Sequence, residues 1–331
     1  MIKLALLGAG RIGQVHAANI HQSSRATLHA VVDVNAESAR ALAERYGAQA
    51  SSDVDAVLAD PAVQGVMICT STDTHVDMIL KATQRKLPIF CEKPVDLDLA
   101  RVDACLAEVE RAGVPLFIGF NRRFDPHFRA LRDAVRRGDA GDVEIVKITS
   151  RDPAPPPPAY VRVSGGIFRD MMIHDLDMAR FLLGEEPVEV FATGSCLVDP
   201  GIGEAGDVDT AMVILKTARG ALCHIDNSRR AVYGYDQRIE VFGSQGMLQA
   251  ANPTPTTVLR YTREAVLVDK PYYFFLDRYP DAFRAELDHY LDVIAGSATP
   301  LVTGRDGRQA LVLADAALES LKAGRPVALP R

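Results

Sequence analysis

The sequence predicts an α/β plus α+β fold, in which a doubly wound parallel sheet is followed by a domain built on a largely antiparallel open sheet flanked by helices. The chain has 331 residues, and a single hydrophobic core rarely grows beyond about 250–300 residues. Residues 1–120 alternate short apolar runs with helical patterns, whereas later apolar runs follow one another through short turns. We therefore expect two domains, residues 1–120 and residues 121–331.

The parallel sheet is indicated by five apolar runs in the first domain. These runs are Ile2–Leu7, Leu28–Val32, Val66–Cys69, Ile89–Cys91 and Leu116–Phe120. They are continuously apolar, which is typical of strands covered by helices on both faces of a sheet. Amphipathic stretches between them predict crossover helices at Ala36–Tyr46, His75–Arg85 and Leu99–Ala112.

The second domain shows a different pattern, in which strand-like runs neighbour each other in the sequence. The runs are Val143–Ser150, Val188–Gly194, Thr210–Thr217, Ala221–Asn227, Gln237–Phe242 and Met247–Ala250. The predicted helices are Pro126–Arg137, Phe168–Leu183, Ala282–Gly296 and Gly304–Ala323. Pro153–Pro158 holds five prolines in six residues, and such a run fits neither a helix nor a central strand. We interpret it as a rigid surface loop.

Composition excludes several function classes. The net charge of −6 and the lack of a lysine or arginine run argue against nucleic-acid binding. Five cysteines, an odd number without C-x-x-C spacing, favour a reducing compartment. The N-terminus begins directly with a strand pattern and not with a signal peptide. No apolar run approaches the roughly 20 residues that a membrane helix needs. We expect a cytoplasmic protein without a membrane span.

A glycine motif follows the first predicted strand. Gly8, Gly10 and Gly13 form G-x-G-x-x-G and enclose Arg11 and Ile12. The motif alone is a weak signal, but here it links a strand to a helix, which is the context that dinucleotide binding requires. The first glycine allows a tight turn, the second lets the backbone approach a pyrophosphate, and the third lets the helix pack against the strand. The first domain is therefore predicted to be a Rossmann fold.

Asp33 indicates which dinucleotide is bound. It ends the second predicted strand, 20 residues after Gly13. A carboxylate at that position can accept hydrogen bonds from the adenosine ribose hydroxyls and would repel a 2′-phosphate. The alternative is an aspartate that merely caps the next helix. Because neither Val34 nor Asn35 supplies a cation, we expect NAD and not NADP.

Three segments carry a resemblance to a known family. Cys91–Pro94, with the sequence Cys-Glu-Lys-Pro, follows the fourth apolar run, and the other two segments are Gly119–Asp125 and Gly165–Asp177. Together with the glycine motif, they resemble the Gfo/Idh/MocA oxidoreductase family over essentially the whole chain. The last two, and the stretch Tyr233–Asp236, resemble its inositol-oxidising branch.

The resemblance implies the roles of individual residues. Lys93, Asp170 and His174 correspond to the family's catalytic constellation, and Asp177 to a substrate-binding carboxylate. Tyr233 is expected to be another substrate contact, although Tyr235 is close enough to take that role. Further expected substrate contacts are Asn121, Arg122 and Asp152. In addition to the glycine motif and Asp33, the residues expected to contact NAD are Thr70, Thr72, His75, Glu92 and Lys93.

The spacing of the acidic and histidine residues agrees with these roles. Asp170, His174 and Asp177 lie at i, i+4 and i+7, which places them on one face of a helix. A structural role for His174 is the alternative, and a zinc site is another. We expect no metal, because a lysine such as Lys93 can stabilise the oxygen during hydride transfer.

The expected chemistry is oxidation of one hydroxyl of a cyclic polyol, with myo-inositol as the first candidate substrate. A histidine with a pKa near 6.5 is suited to take the hydroxyl proton at neutral pH. Alternatives are scyllo-inositol or another inositol, an aldose such as glucose, or a regulatory protein that binds NAD without catalysis. The resemblance also suggests a homotetramer, since an open antiparallel sheet exposes one face.

Overall fold

The structure is a computed structural model and describes residues 1–329 of the chain. The chain divides into two compact units. The first consists of Met1–Phe124 and Asp281–Leu311, and the second of Asp125–Pro280 together with the residues from Val312 onward. Within the described residues, none of the helices combines the length and the apolar character needed to cross a membrane.

The first unit contains a six-stranded sheet in which all strands are parallel. Its strands are β1 (Ile2–Leu7), β2 (Ala26–Val32), β3 (Gln49–Ser51), β4 (Gly65–Ile68), β5 (Ile89–Glu92) and β6 (Leu116–Gly119). Their spatial order, β3-β2-β1-β4-β5-β6, is that of a Rossmann fold. The predicted parallel sheet is confirmed. The short strand β3 was not predicted, because its three residues carry no apolar run.

Helices connect these strands, and their ends follow from local side-chain chemistry. They are α1 (Arg11–Gln22), α2 (Ala36–Tyr46), α3 (Val54–Leu58), α4 (His75–Gln84) and α5 (Leu99–Ala112). The Asn35 side chain accepts hydrogen bonds from the backbone N–H groups of Glu37 and Ser38 at the start of α2. Gly47 ends the same helix with a φ of 66°, a left-handed conformation that favours glycine.

The second unit is built on a seven-stranded sheet with the order β12-β11-β7-β10-β9-β8-β15. Its strands are β7 (Val143–Arg151), β8 (Pro187–Ser195), β9 (Thr210–Thr217), β10 (Leu222–Ser228), β11 (Asp236–Gly243), β12 (Gly246–Ala250) and β15 (Val327–Ala328), with β13 (Arg260–Tyr261) and β14 (Val266–Leu267) forming a separate ribbon. Among the strand pairs of this sheet within residues 1–329, only β7–β10 is parallel, so the expected largely antiparallel sheet is confirmed.

The remaining helices are α6 (Pro126–Arg137), α7 (Pro158–Ser164), α8 (Ile173–Leu183), α9 (Pro200–Glu204), α10 (Phe275–Arg278), α11 (Pro280–Ile294) and α12 (Gly304–Ala323). Residues of α11 belong to the first unit, where the hydroxyl of Tyr290 bonds to the backbone of Val66 and to the carbonyl of Pro88. This fully buried tyrosine fastens α11 to β4 and to the residue that precedes β5.

The segment before α8 differs from the continuous helix predicted over Phe168–Leu183. The structure has a π-helical turn at Ile167–Met171, followed by α8 as a separate helix. Gly166 precedes the turn with a φ of 79°. The backbone N–H of Ile167 donates to Asp207 Oδ2 at 2.9 Å. The turn is thus anchored by a carboxylate distant in sequence, an interaction that helical spacing cannot reveal.

Candidate active site

The β1–α1 turn has the geometry of a phosphate cradle. A Cβ added at Gly8, which has a φ of 100°, would lie 2.4 Å from the carbonyl oxygen of Cys69, and one at Gly13 would lie 2.0 Å from the carbonyl oxygen of Gly8. Gly10 has nothing within 4 Å of such an atom, so the surface above it is open. Because no side chain caps α1, its first N–H groups are available to an anion. Arg11 is exposed in the first turn, and Ile12 is half-buried.

Asp33 is fixed at the end of β2 by two backbone amides. Its Oδ2 accepts a hydrogen bond from Ala9 N–H at 2.7 Å, and its Oδ1 accepts one from Asn35 N–H at 2.8 Å. Each carboxylate oxygen can accept more than one bond, so both retain acceptor capacity for ribose hydroxyls. Val34 beside it is 99% exposed. These features of the turn and of Asp33 fit a dinucleotide without a 2′-phosphate.

His75 joins the ends of two neighbouring strands. Its Nδ1 lies 2.8 Å from the carbonyl oxygen of Pro94, and its Nε2 lies 3.1 Å from that of Thr70. The ring is buried, and burial lowers the pKa of His75 despite these two carbonyl partners. His75 was predicted to contact the cofactor. In the structure its ring holds the backbone next to Lys93, through the carbonyl of Pro94. Thr70 and Thr72 are half-buried beside it in the sequence.

Lys93 follows the last residue of β5 and is half-buried. Glu92, the residue before it, is buried, and its Oε1 lies 2.7 Å from Nε2 of His16. Asn121 and Arg122 occupy a 3₁₀ turn immediately after β6 and are each 5% exposed. Since parallel strands end at one edge of a sheet, these residues lie at the carboxyl edge of the first sheet, which is where ligands bind in open α/β folds.

In the second unit, Asp170 lies in the π-helical turn and His174 in the first turn of α8. The hydroxyl of Tyr160 donates to Asp170 Oδ1 at 3.0 Å. The guanidinium of Arg229 approaches Asp170 Oδ2, with Nη2 at 3.5 Å. Asp170 and His174 therefore lie on two successive helical segments and not on the one continuous helix that their spacing assumed.

Asp177 is more deeply placed than its predicted role suggests. Its side chain is 1% exposed, and Arg180 Nη1 lies 3.5 Å from its Oδ1. Arg180 also binds Glu186 through Nε and Nη2, at 2.7 and 2.6 Å. The carboxylate is thus positioned by a guanidinium that is itself fixed.

The two candidate tyrosines differ clearly in environment. The hydroxyl of Tyr233 donates to Asp236 Oδ2 at 2.6 Å and accepts a bond from Arg151 at 3.3 Å. Burial, together with the hydrogen bond to Asp236, raises the pKa of Tyr233. Tyr235 is buried and packs edge-on against Tyr279 at 5.9 Å between ring centroids. Asp152, the remaining predicted contact, is half-buried at the end of β7.

Sequence reasoning missed the residues that surround Asp170. Tyr160 lies after the proline run, Arg229 follows β10, and Asp207 lies in the segment before β9. None belongs to a motif, and their sequence distances from Asp170 range from 10 to 59 residues. Over residues 1–329, no group of three or more histidine, cysteine, aspartate or glutamate side chains is arranged to hold a metal ion.

Comparison with known proteins gives the family. Residues 2–120 match the model of the oxidoreductase family with an NAD-binding Rossmann fold, and residues 128–249 match the GFO/IDH/MocA C-terminal domain. The chain is 48% identical over 329 residues to the myo-inositol 2-dehydrogenase of Thermotoga maritima, covering 99% of this chain and 98% of that protein.

Solved structures agree with these matches. A crystal structure of a putative myo-inositol dehydrogenase from Sinorhizobium meliloti has a TM-score of 0.97 and 48% identity, covering all of both chains. The scyllo-inositol dehydrogenase of Lactobacillus casei, solved with NAD(H) and scyllo-inositol, has a TM-score of 0.93 and 27% identity, covering 99% of both chains. The chain therefore belongs to the GFO/IDH/MocA oxidoreductase family and has its NAD-binding Rossmann fold.

Proposed function

We propose that this protein is an inositol 2-dehydrogenase, which oxidises myo-inositol to 2-keto-myo-inositol with NAD as the oxidant. The observation that carries the proposal is full-length similarity, at nearly half of all positions, to an enzyme of that activity. The presence of Lys93, Asp170 and His174 at the positions of the family's catalytic constellation supports it. We assign cofactor binding to residues 1–120 and substrate binding to residues 121–331.

The first unit supplies the cofactor site. NAD, when bound, accepts the hydride that leaves the alcohol carbon. The glycine turn and the free N–H groups of α1 bind the pyrophosphate, with Arg11 adding positive charge. Asp33 binds the adenosine ribose, and its two amide anchors keep it from rotating away. Thr70, Thr72 and Glu92 line the same edge, while His75 positions the Lys93–Pro94 backbone.

The acid–base chemistry is assigned to three side chains. His174 takes the proton of the reacting hydroxyl as general base, which makes the carbon a better hydride donor. Lys93 donates a hydrogen bond to the same oxygen and stabilises its developing negative charge. Asp170, a carboxylate held by Tyr160 and Arg229, orients His174. The C–H bond of the alcohol carbon breaks as its hydride leaves for NAD, the O–H bond breaks as its proton leaves for His174, and the carbon–oxygen bond becomes a carbonyl.

Recognition of the other hydroxyls is assigned to polar groups that are already oriented. Asp177, held by Arg180, can accept hydrogen bonds from a non-reacting hydroxyl. Asn121, Arg122 and Asp152 are further candidates. We favour Tyr233 over Tyr235 as a substrate contact, because 38% of Tyr233 is exposed and only 6% of Tyr235 is.

A substrate panel tests the proposed function. The purified protein is mixed with NAD and either myo-inositol, scyllo-inositol, another inositol or glucose, and formation of reduced nicotinamide is followed by absorbance. We expect the highest kcat/KM with myo-inositol. Preference for scyllo-inositol, the ligand of the Lactobacillus casei structure, would mean that the protein catalyses the same reaction on a different inositol isomer. Activity with glucose alone would refute the inositol assignment, and inactivity with every polyol would favour a regulatory NAD-binding role.

We also propose a cytoplasmic homotetramer. One face of the second sheet exposes large apolar side chains, including Phe191, Met212, Ile214, Phe242 and Met247. Phe191 and Ile214 are paired across β8 and β9, and Phe242 and Met247 across β11 and β12. Contiguous apolar surface of this kind is typical of an interface between copies. Light scattering should give four chains per particle, and a monomeric mass would refute the tetramer.

The proposed cytoplasmic location is consistent with the cysteines, because all five are unpaired, as is usual in a reducing compartment.

A further inference from the structure

Arg229 is a charged side chain in an unusual setting. It follows β10 and is 2% exposed, which makes it one of the largest fully buried side chains of the described residues. Its Nε and Nη2 atoms are buried and have no hydrogen-bond partner. Burying a guanidinium without satisfying its N–H groups is unfavourable, so its retention here needs a compensating interaction.

The compensating interaction is electrostatic and involves Asp170. Nη2 of Arg229 lies 3.5 Å from Asp170 Oδ2, while Tyr160 donates to the other oxygen, Oδ1, at 3.0 Å. The two partners therefore occupy opposite oxygens of one carboxylate. At 3.5 Å the positive charge of Arg229 attracts Oδ2, while the hydrogen bond from Tyr160 holds Oδ1, so the two contacts together orient the carboxylate.

Asp207 completes the arrangement on the same turn. Its Oδ2 accepts the N–H of Ile167, the first residue of the π-helical turn that carries Asp170. Burial raises the pKa of Asp207, and the charge of Arg229 opposes that rise. A Cβ at Gly166 would lie 2.8 Å from Asp207 Oδ1, so the carboxylate is packed closely against the turn. Arg229 thus acts on both carboxylates that define this segment.

We propose that Arg229 is a positioning residue of the dehydrogenase, which holds Asp170 in its working orientation as a carboxylate. This inference rests on the proposed function, because it takes Asp170 as part of the catalytic constellation. Arg229 does not itself exchange a proton. Its buried guanidinium gives Asp170 a positively charged partner at a fixed place in the fold.

A double-mutant cycle tests the inference. The variants are Arg229→Met, Asp170→Asn and the combination, assayed for kcat and KM with myo-inositol and NAD. Arg229→Met alone should lower kcat by about 10- to 100-fold, as expected for coupled buried groups, and leave the KM for NAD unchanged. In the Asp170→Asn background it should cause no further fall, because its effect passes through Asp170. Arg229→Lys, which keeps the charge, should retain more activity than Arg229→Met.

Arg230→Met is the matched control, since it removes the same charge from the next residue, whose side chain is exposed. It should leave kcat unchanged. If the effects of Arg229→Met and Asp170→Asn multiply in the double variant, Arg229 supports the fold in general and the proposal is wrong. Should Arg229→Met fail to unfold cooperatively on heating, the same cycle is run with Arg229→Lys, and the same criterion applies.

A crystal structure of Arg229→Lys or Arg229→Met provides a readout that needs no substrate. We expect the Asp170 carboxylate to leave its position beside Tyr160 in Arg229→Met and to keep it in Arg229→Lys. An unmoved Asp170 in Arg229→Met would overturn the proposal. If the unmodified protein oxidises no polyol while Asp170 moves as expected, the proposed function fails and the positioning role stands.

Discussion

Cofactor choice should change when Asp33 and Val34 are replaced together. In Asp33→Ser/Val34→Arg, the carboxylate that faces the ribose is removed and a cation is added at a residue that is 99% exposed. Because Val34 packs against nothing, the arginine should cost little stability. The variant should use NADP better than NAD, whereas the unmodified protein should prefer NAD strongly.

The magnitude follows from the hydrogen bonds of Asp33. A hydrogen bond to a charged group contributes about 1.5–3 kcal/mol, and every 1.4 kcal/mol corresponds to about tenfold in binding. Losing one ribose bond should therefore raise the KM for NAD by roughly 10- to 150-fold. Serine at position 33 can still accept the Asn35 N–H through its hydroxyl, so the turn should survive.

The assay is a pair of steady-state titrations with NAD and NADP at saturating myo-inositol. Asp98→Ser is the control, since Asp98 likewise accepts two backbone N–H bonds, at the start of α5, and has no assigned contact with the cofactor. It should leave both KM values unchanged. Equal use of NAD and NADP by the unmodified protein would refute the role of Asp33.

Three further changes test other parts of the site and of its scaffold. His174→Ala should lower kcat by about 10²- to 10⁴-fold and leave NAD affinity unchanged; an unaltered pH–rate profile would mean that another group is the base. Lys93→Met should lower kcat. Asp177→Ala should instead raise the KM for polyol, because the lost hydrogen bond weakens substrate binding by about 1–3 kcal/mol. Unchanged KM values for all polyols would exclude Asp177 as a ligand. Burial opposes ionisation of Asp209, but N–H groups of Leu197, Asp199 and Val198 lower its pKa to about 2. Against a pKa of about 3.9 in the unfolded chain, this shift stabilises the fold by about 2–3 kcal/mol well above pH 4, and the stabilisation is lost as the pH falls towards 2. As the pH is lowered across that range, the free energy of unfolding, measured in urea, should therefore fall less in Asp209→Asn than in the unmodified protein. Equal falls in the two proteins would contradict this role of Asp209.

The parallel sheet could be predicted because its signals are local. The continuous apolar runs of β1, β2, β4, β5 and β6 and the glycines that end α2 and α5 are all visible along the chain. The short strand β3 carries no such pattern, and α11 returns to the first unit through Tyr290, a contact across 224 residues. Long-range contacts of this kind leave no periodic trace in the sequence.

The candidate site divides in the same way. Gly8, Gly13 and Asp33 were identified from the spacing that their chemistry requires, and the structure supplies a close backbone contact or an amide partner for each. The environment of Asp170 could not be predicted, because Arg229 belongs to no motif and the π-helical turn depends on Asp207. The helical spacing of residues 168–183 predicted a regular helix where the structure has this turn.

The most direct test of the proposed reaction follows the transferred hydrogen. The protein is incubated with NAD and myo-inositol carrying deuterium on carbon 2, and the reduced cofactor is examined by NMR and mass spectrometry. Hydride transfer from carbon 2 predicts one deuterium in the nicotinamide ring, a slower rate than with unlabelled substrate, and loss of the transfer in Lys93→Met. Reduced cofactor without deuterium would show that hydrogen leaves another carbon and would contradict oxidation at the 2-hydroxyl.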